Sequence, residues 1–169
     1  MIKIITAREK ETFTLGRCIA KVLEKGDIVC LTGDLGAGKT TISKSIAKEI
    51  GIDEYITSPT FTIVNEYEGK VKLNHFDVYR ISDVEEMYEI GYEEYFFSDA
   101  INIIEWANLV EEIIPENNIW IDIRLGEDYN HRVFTIKSGN SFVKEKVNKI
   151  QNLWNEYKNM EESNENIVY

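Results

Sequence analysis

The sequence predicts an α/β fold: a three-layer sandwich whose mixed, mostly parallel central sheet carries antiparallel hairpins and is covered by helices. Three observations lead there. The apolar run DIVCLT (27–32) gives way to a glycine-rich turn and then to helical spacing from Lys39. A second short apolar run, INIIE (101–105), has the length and composition of an interior strand. Two pairs of extended segments are joined by the short polar stretches EGK and GEDYN, as hairpins require.

The elements follow in order. IKII (2–5) is a strand, and Thr6 is placed to cap a helix over 8–24, whose Leu15, Ile19, Val22 and Leu23 recur at helical spacing until Gly26 and Asp27 break it. The strand 27–32 leads through the glycine turn to a helix over 39–50, stopped by Gly51. FTIVNEY (61–67) and VKLNHFDVYR (71–80) make the first hairpin. Asp83 caps a short helix through Met87 and Ile90, INIIE follows, and Pro115 ends a further helical piece. NIWIDIRL (118–125) and RVFTIKS (132–138) alternate apolar and polar side chains and make the second hairpin. Ser141 then caps a helix with Val143, Val147, Ile150, Trp154 and Tyr157 on one face. Without repeats or linkers, 1–159 reads as one domain, with 141–159 its C-terminal helix and 160–169, which lack a period, a flexible tail.

A chain of 169 residues buries roughly two thirds of its unfolded surface and needs no disulfides to stand. Cys18 and Cys30 lie in apolar stretches and read as reduced core thiols. No apolar signal region follows MIKIITAREK, and no run approaches the ~18 apolar residues of a membrane span, so the expectation is a cytoplasmic protein without membrane contact. Thirty acidic against nineteen basic residues, a formal charge of −11, argue against direct tight binding to a phosphate backbone, which is held by several Lys and Arg. The acidity reads as solvated surface, with a docking face for a basic protein as the lesser alternative.

Within LTGDLGAGKTTI (31–42), Gly33, Gly38, Lys39 and Thr40 fill the pattern G-x-x-x-x-G-K-[ST] between an expected strand and an expected helix, where that motif works. A chance match in this length is about one in a hundred. Glycines let backbone N–H groups wrap a phosphate, and the helix beginning near Gly38 aims its positive end at the same place. Lys39 is expected on the β- and γ-phosphates and the Thr40 hydroxyl on a magnesium ion. Such a site uses an acid at the end of a neighbouring strand, and two qualify: Asp77 after VKLNHF and Glu105 after INII. Taken alone, each is as well read as a strand-end surface acid. His75 shares a strand face with Asp77 and reads first as a hydrogen-bonded core or edge histidine. Arg80 is equally a charge stabiliser or a solvated arginine, Trp106 reads first as core, and Thr60 of TSPTF is either a metal- or phosphate-reaching hydroxyl or simple turn chemistry.

GDLGAGKTT, SPTF, HFDVYR, the spaced Glu89, Gly91, Glu94, Tyr95 and Phe96, and IIEWA occur in an order that resembles the TsaE family, the P-loop ATPases of bacterial tRNA threonylcarbamoyladenosine synthesis; the resemblance covers about residues 6–138. It implies a P-loop NTPase-like fold and an ATP hydrolase that needs magnesium and supports the TsaB and TsaD proteins, which transfer the threonylcarbamoyl group. By motif match, Gly33, Asp34, Leu35, Gly36, Ala37, Gly38, Lys39, Thr40 and Thr41 bind ATP, with Trp106 beside them. Ser58 and Thr60 belong to a nucleotide-sensitive loop. Lys39, Asp77 and Glu105 are implied as catalytic, Thr40, Asp77 and Glu105 as metal-holding, and Tyr79 and Arg80 complete the HFDVYR segment. Two departures stand out: Ala107 occupies the place where the family often has Pro, and nothing after Ser141 matches.

The same loop serves small-molecule and nucleotide kinases, but those use arginine-rich lids, and the five arginines here are scattered. A GTPase would carry Asn-Lys-x-Asp, and NKIQ (148–151) lacks the Asp. A nucleotide-gated binding module without appreciable turnover is the third reading.

Overall fold

In chain order the computed structural model, which describes residues 1–165, runs β1 (Ile2–Thr6), α1 (Glu9–Ala20), β2 (Ile28–Thr32), α2 (Lys39–Glu49), β3 (Val64–Tyr67), β4 (Leu73–Asp77), α3 (Glu85–Glu89), α4 (Tyr92–Phe96), β5 (Ile101–Glu105), β6 (Asn118–Leu125), β7 (Arg132–Ser138) and α5 (Ser141–Glu165). All seven strands join one sheet in the order β1-β7-β6-β2-β5-β4-β3. Its centre is parallel, with β2 between β5 and β6 and β4 on β5. Its flanks are antiparallel, with β3 on β4 at one side and β7 on β6, then β1 on β7, at the other.

Every residue of β2, β4 and β5 is buried, because helices cover both faces. Alternation along β2 divides the core. Val29 and Leu31 pack with Leu15 and Ile19 of α1, Ile42 and Ile46 of α2, and Val147 and Ile150 of α5. Ile28 and Cys30 pack with Met87 of α3, Phe96 of α4 and Val110. The expected three-layer α/β sandwich is the one observed. Cys18 and Cys30 are buried free thiols, and burial pushes both pKa values up. Among the described residues no helix is long and apolar enough to cross a membrane.

Element ends depart from the sequence expectation where a side chain captures the backbone. Helix α1 stops at Ala20, because the chain tightens into i→i−3 turns (Val22 N–H to Ile19 O, 3.1 Å) and Asp27 then accepts the Glu24 N–H at 2.7 Å. Thr6 lies in β1 and meets the Thr12 hydroxyl at 2.8 Å, so it does not cap α1; the Glu11 carboxylate takes the Ala7 N–H instead, at 2.6 Å. Strand β4 ends at Asp77, whose Oδ1 accepts the Tyr79 N–H at 3.1 Å. Strand β3 begins only at Val64, since Pro59 O accepts both the Thr62 and Ile63 N–H groups in a turn. Asn140, rather than Ser141, caps α5 by accepting the Val143 N–H at 3.1 Å. Residues 92–96 form the extra helix α4, and the piece before Pro115 is two 3₁₀ turns, Ala107–Leu109 and Glu111–Ile113. Helix α5 continues to Glu165, so 160–165, expected in the tail, are helical; 166–169 lie outside the described residues.

The last turns of α5 are tied to α1 and the residue before it by charge. Lys158 Nζ lies 3.1 Å from Glu11 Oε1, and Glu161 reaches Arg8 at 3.7 Å. Burial disfavours the charge of Glu11, yet the Ala7 N–H, Lys158 and Arg8 more than offset this and hold its carboxyl below the usual carboxylate range. Replacing Glu11 by Gln should therefore cost about 1–3 kcal/mol at pH 7. A depressed folded-state pKa stabilises above the ordinary value and is lost as pH falls through the lowered one. In urea titrations, the gap between native chain and variant should narrow from pH 7 to pH 3; a constant gap would show that charge is not what holds Glu11.

Candidate active site

The carboxyl ends of β2, β4 and β5 open on one side of the sheet, and there the loop 33–38 crosses from β2 into α2. Gly33 is obligatory at its start: φ is +135°, and a Cβ would lie 2.2 Å from the Ile123 carbonyl oxygen. The far side of the loop is pinned by Arg132 of β7, whose Nε donates to Ala37 O at 3.0 Å. Lys39 is buried and curls back, donating to Gly33 O at 2.7 Å and Asp34 O at 3.0 Å, with its Nζ 3.6 Å from the centre of the Trp106 ring. Burial lowers its pKa, against the opposing pull of Glu105, Asp77 and Asp34.

Asp77 and Glu105 are register partners on adjacent parallel strands, so their carboxylates stand side by side, 4% and 2% exposed. Each is tied by its own donors. Glu105 Oε2 accepts from the Thr40 hydroxyl at 3.0 Å; Oε1 lies 3.0 Å from the Ser43 hydroxyl and 2.8 Å from His75 Nε2. Asp77 Oδ2 accepts from Ser58 and from Thr60, the latter at 2.7 Å, while Oδ1 takes the Tyr79 N–H. The SPTF loop is thus latched to one acid and the loop helix to the other.

These groups surround a cleft of about 400 Å³. It brings together Leu35, Gly36, Gly38, Lys39, Thr40, Thr41, Ser58, Thr60, Asp77, Glu105 and Trp106 of the expected site, and adds Tyr79, whose ring lies 4.8 Å from that of Trp106. Gly33 and Asp34 face a neighbouring cleft that shares Trp106, and Ala37 is buried under the loop. Behind the loop a groove of about 190 Å³ runs between Glu9 and Thr12 of α1 and Asn130 and Arg132 of the second hairpin.

Three residues that matter here were not read as site residues from the sequence. Ser43 follows Lys39 by four positions and so shares its helix face, a signal available from spacing. The sequence alone presents His75 first as a core histidine; it is fully buried, but its partner is Glu105. Arg132 lies ninety-five positions from Ala37, and nothing local marks it. Arg80 points elsewhere, 4.3 Å from the exposed Phe61 ring.

A strand, a glycine-rich loop and a helix at the parallel centre of a mixed sheet, with acids ending the neighbouring strands, define the class: a P-loop NTPase fold. The crystal structure of Bacillus subtilis YdiB superposes with a TM-score of 0.77 at 32% identity, covering 89% of this chain and 94% of that one. The sequence model of the family described as "Threonylcarbamoyl adenosine biosynthesis protein TsaE" matches residues 6–133. Relatives named tRNA threonylcarbamoyladenosine biosynthesis protein TsaE include one from Bacillus subtilis (strain 168), 41% identical over 79% of this chain and 85% of its own. Another, from Treponema pallidum (strain Nichols), is 36% identical over 78% of this chain and 98% of its own. The chain belongs to the TsaE family.

The two glycines of the loop make a paired test. Gly33→Ala places a methyl against a backbone oxygen and should cost at least about 2–3 kcal/mol in urea unfolding. At Gly36, φ is +77° but nothing lies within 4 Å of a Cβ, so Gly36→Ala should cost only about 1 kcal/mol.

Proposed function

We propose that this chain is an ATPase of the threonylcarbamoyladenosine pathway, binding ATP with magnesium and hydrolysing it in support of the TsaB and TsaD proteins. The observation that carries this is the meeting of loop and acids: Thr40 of the phosphate-loop helix touches Glu105, and Glu105 is in register with Asp77, all in the cleft that holds Lys39. In this reading Lys39 turns from its carbonyl partners to the β- and γ-phosphates, and the N–H groups of residues 34–39 close around them. Glu105 and Asp77 hold and orient the attacking water.

The donors suit magnesium, which prefers hard oxygen ligands and keeps several waters: Thr40, with Glu105 and Asp77, would hold it, and it would offset charge between the phosphates. Among the described residues no three His, Cys, Asp or Glu form a metal cluster, so phosphate oxygens would complete the shell. The groove beside Glu9, Thr12, Asn130 and Arg132 continues from Thr41 and is where the nucleoside would lie.

Hydrolysis is favoured over phosphoryl transfer to a small acceptor because, among the described residues, no arginine lines the cleft to shield such an acceptor. Dependence on partners is supported by two exposed apolar side chains: Leu35, which lines the cleft and is 85% exposed, and Phe61, which follows Thr60 in the chain and is 83% exposed. A cytoplasmic location, and contact with tRNA through the partners rather than through this acidic chain, belong to the same proposal.

Phosphate release, measured with and without TsaB and TsaD, tests it. Turnover should rise with the partners, and Lys39→Ala and Glu105→Ala should each lower it about 10²–10³-fold. Phosphate appearing on a small acceptor would establish a kinase instead, and indifference to the partners would remove the pathway assignment.

A further inference from the structure

The donors on Glu105 are not equivalent, and the difference assigns a task to His75. The Ser43 hydroxyl has an alternative acceptor, Lys39 O of its own helix at 3.1 Å. The Thr40 hydroxyl, in the ATPase reading, is drawn to the metal ion. Among the described residues His75 Nε2 faces only Glu105 Oε1, at 2.8 Å, from a ring that is fully buried.

The other ring nitrogen decides the tautomer. Among the described residues His75 Nδ1 has no hydrogen-bond partner. A proton there would be a buried, unsatisfied donor and would leave the Nε2 lone pair against a carboxylate oxygen. With the proton on Nε2, the imidazole instead donates a charge-assisted bond to Glu105.

We propose that His75 is a positioning residue: it anchors Oε1 of Glu105 inside the sheet, so that Oε2 alone is presented to the cleft. The geometry of adjacent strands makes this necessary. Glu105 and Asp77 are register partners, and His75 lies two residues before Asp77 on the same face of β4. Held by His75, Glu105 keeps its reactive oxygen on the Thr40 side when that hydroxyl leaves. Without the anchor the carboxylate can rotate, and both oxygens exchange. His75 touches neither nucleotide nor metal in this arrangement, so it acts through Glu105 alone.

The inference rests on the ATPase reading, and its test separates the two. With TsaB and TsaD present, His75→Leu should lower kcat for phosphate release at least about tenfold. KM for ATP and the affinity for ADP should stay within about twofold. His75→Gln, which retains an N–H donor, should recover most of the loss. In a double-mutant cycle, His75→Leu should have no further effect on kcat in the Glu105→Gln background, because its route runs through that carboxylate. Independent, multiplicative losses would overturn the proposal, as would a normal kcat for His75→Leu or a His75→Gln as slow as His75→Leu. Should His75→Leu fail to fold, His75→Asn, whose amide is too short to reach Oε1, replaces it with the same expectations. A native chain that releases no phosphate with its partners overturns the ATPase reading, and this proposal with it.

Discussion

Burying a carboxylate is costly unless its oxygens accept hydrogen bonds, and Glu105, only 2% exposed, has donors from two different elements. Satisfying that one group draws helix α2 and strand β4 toward the end of β5. The helix arrives through Thr40 and Ser43, the strand through His75. Once they converge, the phosphate loop ahead of α2 and Asp77 at the end of β4 have little freedom in where they sit. Glu105 is therefore as much a structural joint as a chemical group, and the same bonds that make it tolerable in the interior aim it.

Conformational strain gathers at the same place. Among the described residues, Ile63 and Trp106 are the non-glycine residues with positive φ, at 67° and 62°. Trp106 follows Glu105 directly, and Ile63 O accepts the Asp77 N–H at 2.9 Å. A β-branched residue and an indole in this region cost of order 1–3 kcal/mol each, and they persist because their surroundings hold them. At Trp106 the reversal turns the ring over Lys39 and against Tyr79. At Ile63 it swings the chain from the SPTF turn into β3, which leaves Ser58 and Thr60 on Asp77.

The central architecture was legible because it rests on local pattern. β5 is INIIE as expected, β6 and β7 have the expected bounds, and the loop motif lies between its strand and helix. What misled was backbone capture: Asp27, Asp77 and Asn140 each end or begin an element by taking an N–H that periodicity assigns to the helix or strand. In the candidate site, motif and strand ends mark Lys39, Thr40, Asp77 and Glu105, which the structure brings to one cleft. Their convergence depends on the parallel register of β4 and β5, which spacing does not contain. His75 was ambiguous because a buried ring and a bond to a cleft carboxylate coincide there, and Arg132 was invisible because its contact spans most of the fold.

The sheet's topology also imposes an order of assembly. β1 precedes the other six strands in the chain, and among the described residues its neighbour in the sheet is β7, which ends at Ser138. β1 therefore stays without that partner until β7 has been made. Arg132, which braces the phosphate loop through Ala37, arrives on the same late strand. A nascent chain stalled after β5 would carry the full nucleotide motif and both acids, yet the loop would lack its brace and Gly33 the Ile123 backbone it packs against. The topology thus ties completion of the loop to the arrival of β6 and β7.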